Sequence, residues 1–439
     1  MTKKAKLIPR SVPATVEIDT AILAAALRRI GYIADKCPTS PALDHALIRP
    51  VGADRVEIIG SNGTSELILT VAAKATGSVL VPIFNWARTS NGLRGLTTIV
   101  QDDKTVSAIF AGSLKQSCPA VVVADFPRIP EFSPAFSFSS LCDPLAWALQ
   151  CCGASVGDGK DTREYLRGVH FGFDKVRAWE GLRLVSTNGH ILTRCQLPEV
   201  EAVDCKLSAA LNIIMPAYAA NVAERMLLES DPEAKFTVEI ESDKQMQISG
   251  EGWRVATLAV DGTFPDHLRL IPNKSKMPHT AVVPANLLLA GCKALSAGGG
   301  KADTVLIDFE KGGLTLTRRG EDVDAMHDIP EAKVDGGSYT CGIKLLNLFA
   351  AASLVDSEDD DNILIRCASA DPTSKDREPI LFENPDNPDF LFLAMPMVIE
   401  KQEAEPSTKA AEPKALPAPK AGKKSAPVKA EKPKQKRAA

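Results

Sequence analysis

Apolar and polar positions along this chain alternate for a few residues, cross a polar step and then condense into Ala/Leu-rich runs. They do so three times. ATVEIDTAILAAALRRI (Ala14–Ile30) opens with every second residue apolar, the period of a strand, and continues with the wider spacing of a helix. AFSFSSLCDPLAWALQ (135–150) and TAVVPANLLLAGCKAL (280–295) repeat the pattern. Strands closing on a turn follow each copy. In RVEIIGSNGTSELILTV and GLRLVSTNGHILTRC the turn carries Asn-Gly, which favours a tight antiparallel connection. GGLTLTRRGEDVDAM occupies the same place in the third pass with a weaker match. A second strand and helix come next. SVLVPIFNWARTSNGL and LNIIMPAYAANVAERMLL set Pro82 and Pro216 where the helix begins, a position that needs no N–H. GSYTCGIKLLNLFAAASL lacks that proline. Each pass then ends in further strands, the third in DNILIRCASA and DFLFLAMPM.

Four ordered features recurring at near-constant spacing predict an α+β chain of three similar units, 1–133, 134–276 and 277–400. Each is expected to have antiparallel sheet and two helices, layered to bury one apolar sheet face. The pattern also places Arg28, Arg29, Arg88, Arg94, Arg225, Lys293 and Lys344 in or beside helices. Either these are ordinary solvated helix faces, or they line one common surface suited to a phosphate backbone without reading bases.

Composition narrows the function classes. The 439 residues exceed one ordinary domain, and 45% hydrophobic with 24% charged is normal for a folded protein. Aromatic residues make up only 5%, which disfavours a stacking platform for single-stranded nucleic acid. The basic head MTKKAKLIPRSVP has no apolar core, and no apolar run is long enough to cross a bilayer. The ten cysteines form no C-x-x-C pair, so reduced, mostly buried thiols in a cytoplasmic protein are expected. The net charge is −4, but residues 401–439 alone carry +7 and the preceding 400 carry −11. That Lys/Pro/Ala-rich segment has almost nothing to bury, so a disordered basic tail is expected.

Three stretches resemble a known family. YLRGVHF followed by LRLVSTNGHILTRCQLP resembles the opening strands of the second domain of the bacterial replicative sliding clamp, the beta subunit of DNA polymerase III. LAVDGTFPDHLRLIP resembles that family's linker into its third domain, and LFLAMPM its last strand. VVVADFP is similar to the end of its first domain. The resemblance covers about 15–400 in collinear order. It implies three DNA-clamp domains per chain and two chains joined head to tail as a homodimeric ring. The helices would face the hole, so the basic residues above, with Lys36 beside them, would face duplex DNA. The implied partners are duplex DNA, the replicative polymerase, the clamp loader, other proteins carrying short clamp-binding peptides, and a second copy of the chain. No membrane and no cofactor are implied, and ATP hydrolysis would belong to the loader.

The resemblance also implies a peptide groove between the second and third domains. Leu166, Thr187, Gly189, His190 and Leu192 match it in the second unit, and Pro265, Arg269 and Leu270 in the linker. Leu393, Ala394, Met395, Pro396, Met397, Val398 and Ile399 close it, with Leu345 at an aromatic position. An apolar groove with a few polar rims suits an extended peptide anchored by Leu and aromatic side chains. Several residues depart from the family pattern. Asn188 replaces an Asp, Ile191 and Val398 replace Arg, Ala394 replaces a Val, and Cys37 stands where the first helix is followed by Arg. The lost charges put partner choice in doubt, which keeps a second reading open: a clamp-like adaptor that binds replication proteins without encircling DNA.

Enzyme readings find little support. His190 and Cys195 are close in sequence, but no acidic residue in the same stretch orients the imidazole. None of the six His forms an H-E-x-x-H run, and the acidic run DSEDDD (356–361) reads as a solvated loop. SAGGGKADT fails as a phosphate loop, because Leu295 stands where Gly is required and Ala302 where a hydroxyl is.

Overall fold

The computed structural model describes residues 13–34, 40–131, 133–159, 162–173, 182–197, 201–202, 212–241, 244–297, 304–319, 324–355, 361–369 and 377–399. Lys36, Cys37, the glycine-rich stretch around 300, residues 356–360 of the acidic run and the basic segment 401–439 lie outside them.

One element order occurs three times. The first pass holds β1 (Ala14–Asp19), α1 (Thr20–Ile30), β2 (His45–Pro50), β3 (Arg55–Ser61), β4 (Ser65–Ala75), β5 (Val79–Pro82), α2 (Ile83–Ser90), β6 (Leu96–Gln101), β7 (Thr105–Phe110) and β8 (Leu114–Pro119). The second holds β9 (Phe136–Leu141), α3 (Cys142–Gly153), β10 (Gly168–Phe173), β11 (Leu182–Thr187), β12 (Ile191–Leu197), a two-residue β13 (Glu201–Ala202), β14 (Asn212–Pro216), α4 (Ala217–Leu228), β15 (Lys235–Glu241), β16 (Gln245–Gly250) and β17 (Trp253–Leu258). The third holds β18 (His279–Pro284), α5 (Ala285–Ala297), β19 (Thr304–Glu310), β20 (Gly313–Arg318), β21 (Ala325–Ile329), a short β22 (Lys333–Asp335), β23 (Tyr339–Lys344), α6 (Leu345–Val355), β24 (Asn362–Cys367), β25 (Ile380–Glu383) and β26 (Phe390–Ala394). Among the described residues every strand pairing is antiparallel, and the helices pack as α1 on α2, α3 on α4 and α5 on α6.

Local chemistry explains the repeat. Asp19 caps α1 by accepting the amides of Ala21 and Ile22, and the helix buries Leu23, Ala26, Leu27 and Ile30 against the sheet. Pro82 and Pro216 are the N-cap residues of α2 and α4, in extended backbone with no side-chain bond to offer. The two Asn-Gly turns use one device. Asn62 Oδ1 accepts the amides of Thr64 and Ser65 at 3.0 and 2.8 Å. Asn188 Oδ1 accepts those of His190 and Ile191 at 2.9 and 3.0 Å. Gly63 and Gly189 supply the positive φ each turn requires, +94° and +87°.

The sheets cross from one repeat to the next by a fixed rule. The fourth long strand of a repeat pairs with the last strand of the repeat that follows. Thus β4 pairs with β17, with Leu67 opposite Val255, and β12 pairs with β26, with Leu192 opposite Leu393. A 13-stranded and a 9-stranded sheet result, beside a four-stranded sheet of order β21-β20-β19-β23. Among the described residues β8 pairs only with β7, and β21 only with β20. These are the last strand of the first repeat and the fourth of the third.

Candidate docking pocket and cationic helix face

The seam between β12 and β26 builds an apolar pocket. The Thr187 hydroxyl donates to the Ile191 carbonyl at 2.6 Å and accepts the Gly189 amide at 3.1 Å, which sets the hairpin tip. The His190 carbonyl then accepts the Met395 amide at 2.8 Å, tying the end of the last strand to that tip. A pocket of about 80 Å³ opens here, lined by Thr187, Gly189, His190, Leu192, Leu270, Leu393 and Met395, with Ile191 and Pro379. Below it lies a small apolar cluster separate from the main core, in which Leu192, Val185 and Ile214 meet Phe264 and Met277 of the linker and Leu381, Leu391 and Leu393 of the last strands. The linker is held there by rings. His170 stacks on Phe264 at 4.6 Å, and His267 meets the same ring edge-on at 6.2 Å. Burial, with His170, Arg194 and Arg183 nearby and Asp266 opposing, pushes the His267 imidazole down to about 4.

The other groove residues named from sequence fall around this pocket rather than in its lining. Leu166 and Ala394 are buried supports. Leu345 is packed in the main core, and its neighbour Leu346 is the exposed one. Pro265 is half-buried beside Phe264, and Arg269 is exposed in an ion pair with Asp266 at 2.8 Å. Met397 and Val398 are exposed, while Pro396 and Ile399 are half-buried. The Met397 amide donates to Gly342 at 2.7 Å, and its carbonyl accepts from Arg377 Nη1 at 2.7 Å. His190 and Cys195 do not meet. His190 is exposed on the turn, whereas Cys195 is wholly buried, and burial with the adjacent thiols of Cys151 and Cys152 pushes its thiol well above the ordinary value. Such a thiol makes a poor nucleophile.

Arginines gather on the helix side of the other seam. Arg28, Arg88 and Arg94 line a depression of about 460 Å³ between α1 and α2. A second, of about 790 Å³, reaches α4 and is lined by Arg28, Arg88 and Arg225 with Tyr32, Phe84, Tyr218 and Asn221. Arg88 Nη2 donates to Asn85 Oδ1 at 3.1 Å, and the Arg225 guanidinium sits 5.0 Å over the Tyr32 ring. Arg29 is engaged differently. Its Nε donates to Glu229 Oε2 at 2.6 Å, and Glu229 Oε1 accepts the Tyr32 hydroxyl at 2.9 Å. The Tyr218 hydroxyl donates to the Tyr32 carbonyl at 2.9 Å. Burial, then the Glu229 carboxylate, push the Tyr32 phenol up. In the third repeat Lys293 is exposed on α5 and Lys344 half-buried just before α6. Neither of those helices carries an arginine or an acid.

Sequence reasoning missed Pro379, which follows a polar stretch with no periodicity. It also passed over Glu229, Tyr32 and Tyr218, whose partners are almost 200 positions away. Among the described residues no group of three or more His, Cys, Asp or Glu is placed to hold a metal ion, and no helix is long and apolar enough to cross a membrane.

Comparison with known proteins joins these observations. The model of the family described as DNA polymerase III beta subunit, central domain, matches residues 152–266. That span contains the Asn188-Gly189 turn and ends in the linker beside Phe264. The beta sliding clamp of Caulobacter vibrioides is 22% identical over 388 residues, covering 87% of this chain and 98% of its own. The chain is similar to the beta sliding clamps over most of its length. Its fold is the clamp fold. A crystal structure of the Caulobacter crescentus beta sliding clamp superposes with a TM-score of 0.76 at 20% identity, over 88% of this chain and all of that one. The sliding clamp of Bartonella birtlesii, solved bound to griselimycin, gives 0.78 at 20% identity with the same coverage. The fold is thus shared while about four residues in five differ.

Proposed function

We propose that this chain is a DNA sliding clamp. Two copies join head to tail into a ring that encircles duplex DNA and holds the replicative polymerase on it, raising the polymerase's local concentration without chemistry of its own. The three units are 1–133, 134–276 and 277–400.

The observation that carries the reading is the seam rule. Fourth strand pairs with last strand at both internal seams, and the strands left over are the fourth of the third repeat, β21, and the last of the first, β8. A second copy satisfies the rule with no new kind of contact: β21 of one chain on β8 of the other, twice, closing the ring. The exposed Met326 of β21 and Leu114 of β8 would be covered there. The helix face supplies the DNA contacts, with Arg28, Arg88, Arg94 and Arg225 as phosphate partners and Arg29, Lys293 and Lys344 as further basic residues on or beside the helices. The pocket at the second seam takes a short linear peptide from the polymerase, the loader or another client. Leu192, Leu393 and Met395 form its apolar wall, and Met395 adapts to different side chains. Ile191 in that lining makes the site more apolar and less cationic than an arginine there would.

Retention on DNA tests this. Clamp placed on a nicked circular plasmid by a loader is expected to stay bound at high salt and to be lost once the plasmid is cut. Retention indifferent to cutting would contradict encirclement and favour an adaptor role.

A further inference from the structure

The larger cavity on the helix face has a composition that duplex contact does not need. The chain has only four Tyr, and two of them, Tyr32 and Tyr218, stand at this one recess together with Phe84. Arg28, Arg88 and Arg225 share its lining, and its volume of about 790 Å³ exceeds what one nucleotide fills. A paired, stacked base cannot reach a recessed ring, since a duplex offers a helix face only its phosphates and groove edges. An unpaired nucleotide can enter, lay its base on an aromatic ring and leave its phosphate to the guanidinium groups. The rings are held in place beforehand. The Tyr32 hydroxyl is bound by Glu229 and the Arg225 guanidinium lies over its ring, while the Tyr218 hydroxyl is anchored on the Tyr32 carbonyl and its side chain stays exposed.

We infer that the recess between α1, α2 and α4 is a binding site for an unpaired nucleotide of a DNA strand, with Tyr218 as the stacking residue and Arg28 and Arg88 on the phosphate. The inference rests on the helix face being the DNA side. It gives this clamp relative a preference for DNA with a single-stranded segment, such as the template beyond a primer end. The low aromatic content of the whole chain conceals the site, because three of its few rings, Tyr32, Phe84 and Tyr218, converge on one recess.

The test is fluorescence anisotropy of the full-length protein with two labelled probes, a twelve-nucleotide oligo-dT and a twenty-base-pair duplex. Tyr218→Leu is expected to weaken oligo-dT binding about tenfold and to leave duplex binding within twofold. Tyr218→Phe, which keeps the ring and loses the hydroxyl anchor, should bind duplex as the wild type does and lose far less oligo-dT affinity than Tyr218→Leu. Arg88→Ala should weaken both. Equal losses on the two probes, or none, in Tyr218→Leu would overturn the nucleotide site. Duplex binding without measurable oligo-dT binding by the wild type would overturn it while leaving the DNA face intact. Indifference of both probes to Arg88→Ala would overturn the DNA face as well.

Discussion

The two seams of this chain are built by one strand-pairing rule and surrounded by different side chains. At the first, β4 on β17, the distinctive side chains lie on the helix side: a cluster of guanidinium groups and a polar clasp in which Arg29, Glu229, Tyr32 and Tyr218 bridge α1 and α4. At the second, β12 on β26, it lies beside the strands, where an apolar pocket opens above a small separate core. Counted from the helix start, exposed Leu346 and Phe349 of α6 stand where α4 has Tyr218 and Asn221, and Ser353 stands where α4 has Arg225. Equivalent helix positions thus carry polar and charged side chains in one repeat and more apolar ones in the other. A repeat fixes where a site can stand, and its side chains decide which ligand it takes.

The sharpest way to break this comparison is to charge the second seam. Leu393→Asp would bury an unpaired carboxylate between Leu192 and the linker. A loss of about 4 kcal/mol or more is expected in denaturant unfolding. A loss near that of an ordinary surface change would mean the small cluster does not hold the seam.

Acid should find the same seam. The native state keeps His267 neutral down to about pH 4, whereas the unfolded chain takes up the proton near pH 6.5. Protons therefore favour the unfolded state between these values. Stability is expected to fall as pH drops from about 6.5 to about 4, by at most about 3 kcal/mol, and this contribution levels off below. In His267→Gln that part of the slope should vanish from melts taken across the window.

The pocket and the cationic face can then be separated from one another. Met395→Asp should weaken a Leu-containing client peptide about tenfold in a calorimetric titration, with DNA binding unaltered. Arg28→Ala should do the reverse, lowering the slope of log affinity for duplex against log salt by about 0.9 and sparing the peptide. Either variant crossing over would merge two sites that the geometry keeps apart. The smallest effect belongs to the clasp. Arg29 and Glu229 are each about a third exposed, so Glu229→Ala should cost under about 1 kcal/mol in thermal melts.

Much of this was legible in the sequence because it is local. The two-residue period of Ala14–Asp19 and the apolar stripe of Thr20–Ile30 specify a strand and a helix wherever they stand. The Asn-Gly turn at 188–189 determines its own geometry through the Asn188 side chain. The pocket was legible only through family resemblance, and unevenly. His190, Leu192 and Met395 line it, while Leu345 is turned into the core, since periodicity does not say which of two adjacent leucines a helix start will bury. What could not be read was long-range. Glu229 looks like a solvated acid at a helix end until α1 is brought to it, and the aromatic recess exists only where Tyr32, Phe84 and Tyr218 converge. The seam rule itself depends on pairings such as Leu67 with Val255, which no local pattern encodes.

The central claim is that β8 and β21 are the two halves of a third seam. Electron microscopy of the purified full-length protein tests it most directly. The account predicts closed rings of two chains and six similar lobes around a hole wide enough for duplex DNA. Compact single chains or open crescents, at concentrations where a clamp dimer persists, would contradict it.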